Sequence, residues 1–161
     1  MIRGEVSKGG VLMDRSAIDI SYYIVNYCNE HNIPISNLKL QKLLYYVQAA
    51  FLVRGKEAFS DEIRPWRYGP VVEAVYQEFK IYVNKNIETT VSDIRLADDE
   101  KTIINEVIES YKSYSPSRMI GKTHNEDPWK NAYRNEDEVI QKETIRNYYG
   151  RHRGYLYGKS E

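Results

Sequence analysis

Hydrophobic residues recur three and four positions apart along most of the chain, which is the spacing of one face of an α-helix. The clearest repeat covers residues 98–111, and a second covers residues 16–30. In the second repeat, Ser16 and Asp19 form an acidic variant of the capping box that starts many helices. The pattern predicts helices at both places.

Three more elements are predicted in the second half of the chain. Ser115-Pro116 and Asp127-Pro128 each join a cap residue to a proline, which favours the first position of a helix. A last short helix is predicted over residues 139–149. The whole pattern indicates a mainly α fold: a compact single domain of about five to six helices.

The segment NLKLQKLLYYVQAAFLVRG, which begins at residue 37, is apolar around most of its helical circumference. Ser36 precedes it as a cap, and Gly55 suits its end. Its apolar positions therefore leave little polar surface on the helix. A helix of this kind is covered on several sides, so we expect it to be the central helix of the domain.

The stretch RPWRYGPVVEAVY, residues 64–76, contains a glycine-proline pair before a helical repeat. We interpret Gly69 as an N-cap and Pro70 as the first helical residue, with Trp66 and Tyr68 packed beneath this elbow. A phosphate-binding helix start is the alternative. It is disfavoured because further glycines or a Lys/Ser partner are missing and Glu73 would repel an anion.

Residues 58–68 are predicted to be extended, and Pro65 favours an edge strand over a central one. Residues 88–94, ETTVSDI, form a second short β-like run. We predict that this run pairs with residues 64–68 in a small two-stranded β element.

Charge and cysteine content narrow the class of protein. Lysine and arginine total 23, aspartate and glutamate also total 23, and the net charge is zero, which disfavours a nucleic-acid partner. Cys28 is the single cysteine, so no intrachain disulfide forms, and its helical position favours a buried small hydrophobe over a nucleophile. The most apolar run, residues 43–53, is too short to span a bilayer. A cytoplasmic protein is the expectation.

Tyrosine is over-represented, with 15 residues against three phenylalanines and two tryptophans. Tyrosine covers apolar area while its hydroxyl stays hydrated, and it is enriched where proteins bind proteins. The alternative is that many tyrosines line the edge of a small core.

Three motifs occur in a fixed order: KLQKLLYY from residue 39, PWRYGPV from residue 65, and THNEDPW from residue 123. Together they resemble the Panacea domain, also described as the SocA-like, phage-associated domain of unknown function. The resemblance covers residues 14–149. The motif residues expected to have structural roles are Gln41, Tyr45, Trp66, Tyr68, Gly69, Pro70, His124, Asp127, Pro128 and Trp129.

The resemblance implies an antitoxin of a bacterial or prophage toxin–antitoxin system, which neutralises a cognate toxin by binding it as a protein. For some members it also implies an adaptor role, in which the toxin is passed to a cytosolic AAA+ protease. Residues 1–13 lie outside the family pattern and are predicted to be a disordered leader or an expression remnant. Residues 150–161 are predicted to form a flexible basic and aromatic tail.

Two other functions remain as alternatives. An enzyme could use His124 with Glu126 or Asp127 as a general base, although a cap and a buried tryptophan explain the same residues structurally. No metal cluster, nucleophile motif or cofactor site is predicted, so we expect no enzyme. A transcriptional regulator of its own operon could use the turn and helix at residues 32–46, but that helix offers few polar side chains to a DNA groove.

The partner is expected to contact a tyrosine-rich surface. The first candidate is the C-terminal segment, and the second is the edge of the central helix if its covering is incomplete. The candidate contact residues are Tyr148, Tyr149, Arg151, Arg153, Tyr155 and Tyr157 in the first case, and Lys39, Lys42 and Tyr46 in the second.

Overall fold

The computed structural model describes residues 15–89, 91 and 94–159. Within these residues the fold consists of seven α-helices and a two-stranded antiparallel sheet, which confirms the predicted mainly α class. The elements are α1 (Ala17–Glu30), α2 (Asn37–Leu52), β1 (Arg64–Trp66), β2 (Gly69–Val71), α3 (Glu73–Phe79), α4 (Asp98–Tyr111), α5 (Pro116–His124), α6 (Asp127–Arg134) and α7 (Lys142–Arg151). Two short 3-10 helices, Lys80–Tyr82 and Arg153–Tyr157, follow α3 and α7.

Helix α2 is the central element, as its all-round apolar pattern predicts. Every residue of it is buried except Leu38, which is 36% exposed. Helices α1, α3, α4, α5 and α7 and strand β2 pack against it. Cys28 of α1 is fully buried in the same core.

Serine caps start three of the helices where the sequence predicts them. The side chains of Ser16, Ser36 and Ser115 each accept a hydrogen bond from the backbone N–H three residues later, at 3.1–3.3 Å. Helix α6 differs from the prediction, because Glu126 is its N-cap and Asp127 is already helical. The Glu126 side chain makes no cap bond, since its carboxylate is turned into the core.

The glycine-proline pair does not start a helix, so that prediction was wrong. Gly69 and Pro70 lie in β2, which pairs with β1 in a hairpin whose turn is Arg67-Tyr68. Helix α3 begins only at Glu73. Gly69 has φ +112°, a conformation far from the extended backbone of an ordinary N-cap and one that side chains rarely adopt.

The predicted strand partner and the predicted packing of the aromatic pair were also wrong. The strand β1 pairs with β2, and the described residues of 88–94 belong to no strand. Trp66 is only half-buried, with its ring edge-to-face on Tyr76 at 5.4 Å, and Tyr68 is 56% exposed. In the hairpin both side chains lie at or near the surface, whereas the sequence prediction packed them beneath a junction between a strand and a helix.

The C-terminal segment is more ordered than the predicted flexible tail. Residues 153–157 form a 3-10 helix, and the side chain of Leu156 is buried in the core. Tyr155 and Tyr157 pack against the same core. Gly150 lies within α7 and Gly154 within the 3-10 helix, so these glycines do not prevent the packing. The predicted leader, residues 1–13, lies outside the described residues.

Candidate functional site

The three sequence motifs converge on one side of α2. The first motif places Gln41 beside the start of α3, where its Oε1 accepts a hydrogen bond from Val72 N–H at 2.9 Å. Its Nε2 donates to Asn37 Oδ1 at 3.0 Å, and Asn37 in turn donates to the Tyr76 carbonyl. Gln41 is buried, so its amide fixes the approach of the hairpin to α3.

A buried polar network joins the first and third motifs. Glu126 Oε1 accepts hydrogen bonds from the hydroxyls of Tyr46 at 2.7 Å and Tyr149 at 2.6 Å. Glu126 Oε2 accepts from Lys122 Nζ at 2.6 Å. Tyr45 completes the set through a 3.1 Å hydroxyl–hydroxyl contact with Tyr149. We call these five residues the tyrosine–glutamate network.

The network is both desolvated and charged. Burial, together with the negative charge of Glu126, raises the pKa of Tyr46 and of Tyr149 far above the usual tyrosine value. Burial lowers the pKa of Lys122, while the Glu126 carboxylate acts in the opposite direction. The Lys122 ammonium also lies 4.4 Å from the ring centre of Tyr46. The tyrosine hydroxyls therefore stay protonated and donate to one buried carboxylate.

The C-terminal segment closes this network from solvent. The Tyr155 carbonyl accepts hydrogen bonds from Lys122 Nζ and from the Tyr111 hydroxyl, both at 2.6 Å. The Gly158 N–H donates to the same Tyr111 hydroxyl at 3.1 Å. Leu156 is 1% exposed between these anchors. The tail is therefore part of the folded domain.

The second motif contacts a buried lysine. Lys42 of α2 is fully buried, and its ammonium donates to the Pro70 carbonyl at 3.3 Å. No salt bridge involves it among the described residues. Burial lowers the pKa of Lys42 to about 7. Gly69 lies directly against this side chain.

His124 belongs to a stack of three rings. Its ring lies 3.9 Å from that of Trp129, which lies 4.7 Å from Tyr133. The Trp129 Nε1 donates to the Trp66 carbonyl at 2.8 Å, which ties the hairpin to α6. Burial lowers the pKa of His124, and the nearby Lys42 charge adds to that effect.

The proposed catalytic pair of His124 and Asp127 is not assembled. No hydrogen bond joins the two side chains in the described part of the chain, and His124 Nε2 is buried without a partner. Asp127 is exposed, and its Oδ1 lies 3.8 Å from Lys130 Nζ. A general base needs access to substrate, whereas this ring is stacked on Trp129 and hydrogen-bonds to the Arg67 backbone instead of to a carboxylate.

The structure separates the predicted partner-contact residues into two groups. Lys39, Lys42, Tyr46 and Tyr149 are buried, so the edge of α2 is covered and its candidates were wrong as surface residues. Arg151 and Arg153 are exposed, whereas Tyr148, Tyr155 and Tyr157 are half-buried. Tyr45 and Tyr46 of α2 and Tyr149 of α7 thus belong to the core.

Sequence reasoning missed Lys122 and considered Glu126 only beside His124, because the pair spans the junction between α5 and α6 instead of lying on one helix. It also passed over Ile81 and Val83, which are 81% and 72% exposed. Helix α2 is also unsuited to be a DNA-recognition helix. Its polar side chains are buried, and Leu38 is its only exposed residue.

The described residues contain neither a metal-ligand cluster nor a membrane-spanning helix. No group of three or more His, Cys, Asp or Glu side chains there could hold a metal ion. No helix in that part of the chain is both long and apolar enough to cross a membrane.

A domain family described as "Antitoxin SocA-like, Panacea domain" matches residues 40–130, more than half of the chain. The matched range contains the hairpin, the buried lysine and four of the five network residues. The chain therefore belongs to this family of SocA-like Panacea domains.

A curated relative is similar over a shorter stretch. Antitoxin SocA of Caulobacter vibrioides (strain NA1000 / CB15N) is 41% identical over 63 residues, which is 35% of this chain and 34% of that protein. The match thus spans about a third of the relative's length. No solved structure matches the chain.

Proposed function

We propose that this protein is an antitoxin that neutralises a cognate toxin protein by binding it directly in the bacterial cytoplasm. The observation that carries the proposal is membership of the SocA-like family, whose description names an antitoxin. The similarity to Antitoxin SocA supports the same role.

The geometry favours binding over catalysis. The buried polar side chains of the first and third motifs are hydrogen-bonded to one another or to backbone, so they hold the scaffold together. Contacts to a toxin would have to come from the exposed side chains around this scaffold. A rigid core with a separate contact surface is the usual arrangement of a protein-binding domain.

The exposed end of α7 is a candidate for that surface. Arg151 and Arg153 are exposed, and the half-buried rings of Tyr148, Tyr155 and Tyr157 lie on the same segment. Arginine and tyrosine side chains carry much of the energy of protein interfaces. The tail's attachment to the network would present these side chains in a fixed arrangement, which lowers the entropy cost of binding.

The experiment that tests the function begins with the reading frame next to this gene. That frame is expressed in bacteria from an inducible promoter, alone and together with this chain, and growth is measured. Toxicity of the neighbouring product that this chain relieves, with a purified complex of the two proteins, is the expected outcome. A neighbouring product that is harmless, or that does not bind this chain, would reject the proposal.

Delivery of the toxin to a AAA+ protease is the finer version of this proposal. It predicts that the toxin's half-life shortens when this chain is co-expressed, and that deletion of the protease gene restores the half-life. Direct inhibition without delivery would leave the half-life unchanged while growth is still rescued. The two measurements therefore separate the mechanisms.

A further inference from the structure

Val83 has a backbone conformation that valine rarely adopts. Its φ is +58° and its ψ is −116°, and Lys85 N–H donates to the Tyr82 carbonyl at 2.9 Å. These values define the first central position of a type II′ turn, where glycine is the usual residue. A β-branched residue with positive φ is a true outlier, because its side chain crowds the backbone.

The fold offers no reason for valine at this position. Its side chain is 72% exposed and that of Ile81 is 81% exposed, so neither gains much from burial in this chain. They are the two most exposed large hydrophobic residues in the described part of the chain. Strain that is not offset by packing is typical of a residue selected for function.

Among the described residues, the other two non-glycine positions with positive φ have a structural explanation. Asn32 and Glu136 each follow the C-cap of a helix, α1 and α6 respectively. There the next N–H bonds back into the helix, from Ile33 to Cys28 and from Asp137 to Ala132. This is a common way to end a helix. Val83 also ends a helix, the 3-10 helix Lys80–Tyr82, and its N–H donates to the Lys80 carbonyl at 2.9 Å, but that role does not call for a β-branched side chain.

The turn is held firmly on both sides. The ring of Tyr82 lies 6.4 Å from that of the buried Phe79. Beyond the turn, Ile87 is fully buried and its N–H donates to the Ile35 carbonyl at 2.8 Å. Asn86 accepts a hydrogen bond from Ile35 N–H at 2.7 Å. The two apolar side chains are therefore presented on an anchored loop.

The two charged residues nearest to the turn are both basic, and the nearest carboxylates in sequence, Glu78 and Glu88, lie just outside them. Lys80 and Lys85 flank the two apolar residues, and residues 79–87 contain no aspartate or glutamate. Both lysines are exposed, and neither forms a salt bridge within the described residues. A complementary partner would offer an apolar pocket with an acidic rim.

We propose that Ile81 and Val83 form an apolar plug that inserts into an acid-rimmed apolar pocket of the cognate toxin. The proposal rests on the proposed antitoxin function and names one contact surface for it. The strained turn fixes the plug before binding, so little further entropy is lost on association.

Titration calorimetry with the purified product of the adjacent toxic reading frame tests the plug. Ile81→Asp should weaken binding at least 100-fold, and the double change Lys80→Glu with Lys85→Glu at least tenfold. Val83→Gly should raise the melting temperature by about 2–4 °C because it relieves the strained φ, yet weaken binding at least tenfold. Tyr68→Asp, at another exposed large hydrophobic residue, and Glu136→Gly, at another positive φ, should both bind as the wild type does.

The outcomes separate this proposal from the function on which it rests. If the wild-type chain fails to bind the toxin, the antitoxin function and the plug are both rejected. If the wild type binds and Ile81→Asp and Val83→Gly bind equally well, only the plug is rejected. Light scattering and sedimentation with phosphatidylglycerol vesicles complete the test. A wild-type dimer or a vesicle-bound chain that Ile81→Asp disrupts would assign the plug to self-association or to a membrane and overturn the proposal.

Discussion

The Gly69 α-carbon lies against the Lys42 side chain so closely that a β-carbon at position 69 would overlap Lys42 Cε. The same β-carbon would lie 3.1 Å from Thr123 Oγ1. The contact joins the hairpin, α2 and α5 at one point. Glycine is needed here for space, and also because φ is +112°.

Gly69→Ala should therefore lower the free energy of unfolding by about 2–4 kcal/mol, from backbone strain and overpacking together. Gly121→Ala is the matched control, because no atom lies within 4 Å of a β-carbon there and the residue is in α5. It should leave stability unchanged or raise it by up to about 1 kcal/mol. Urea denaturation of both variants measures the difference, and equal effects would contradict the packing described.

Lys42 should make stability depend on pH. Its pKa is about 7 in the folded chain and is normal, near 10.5, in the unfolded chain. Between these values the unfolded state binds more protons, so stability rises with pH by about 1.4 kcal/mol per unit. Below pH 7 the full cost of burying the charge remains.

Lys42→Met removes this titration and retains a similar volume. We expect the variant to be more stable than the wild type at pH 6 and to lose the rise between pH 7 and 9. The measurement stops at pH 9, because the buried tyrosines begin to titrate in the unfolded chain near pH 10. Parallel stability curves for the two proteins across pH 6–9 would show that Lys42 carries no lowered pKa.

Glu126 should be the most sensitive carboxylate of the described residues. Glu126→Gln leaves Lys122 without its buried counter-charge, so we expect a loss of about 3 kcal/mol in the free energy of unfolding. Asp127→Asn is the control, since Asp127 and Lys130 form an exposed pair at 3.8 Å. Its loss should not exceed about 1 kcal/mol.

Coupling between the two network residues gives a second readout. Adding Lys122→Met to Glu126→Gln removes the unpaired charge, so the double variant should recover part of the lost stability. Strictly additive losses in chemical denaturation would mean that the ion pair does not stabilise the domain as described.

The two tryptophans should differ in their contribution to stability. Trp129 is 6% exposed between His124 and Tyr133, so Trp129→Ala should cost about 3–5 kcal/mol. Trp66 is half-buried, and Trp66→Ala should cost about 1–2 kcal/mol. Thermal melts of both variants make the comparison. A larger loss of stability in Trp66→Ala would support the sequence prediction that Trp66 is mostly buried.

Local rules predicted the helices well because caps and periodicity act within a few residues. Ser16, Ser36 and Ser115 cap where their spacing predicts, and the all-round apolar pattern identified α2 as central. The hairpin was missed because a glycine-proline pair satisfies a helix start and a strand equally well. Its turn, Arg67-Tyr68, lacks the glycine or asparagine that usually marks a hairpin.

The network and the ordered tail depend on contacts between residues far apart in sequence. Tyr46 and Glu126 are 80 positions apart, and Tyr111 and Tyr155 are 44 apart. No pattern within a short stretch of sequence predicts contacts between residues so far apart. The isolated leucine at position 156 was the one sign of an anchor in a tail whose glycines predicted flexibility.

The exposed arginines of the C-terminal segment give the last prediction. Truncation after residue 150 would not test them, because it also removes Leu156 and uncovers Lys122. Loss of the leucine alone should cost about 2–5 kcal/mol. A truncated chain that fails to neutralise the toxin could therefore simply be unfolded.

Charge reversal separates contact from folding. Arg151→Glu with Arg153→Glu should leave the melting temperature unchanged, since both side chains are exposed, and should weaken toxin binding at least tenfold if this surface is used. Lys130→Glu with Arg134→Glu makes the same change of net charge on α6 and is the control. Binding is measured by calorimetry at two salt concentrations, because a charged contact weakens as salt rises. Equal losses in both double variants would indicate a general effect of net charge, and undiminished binding in the Arg151 and Arg153 variant would exclude this surface.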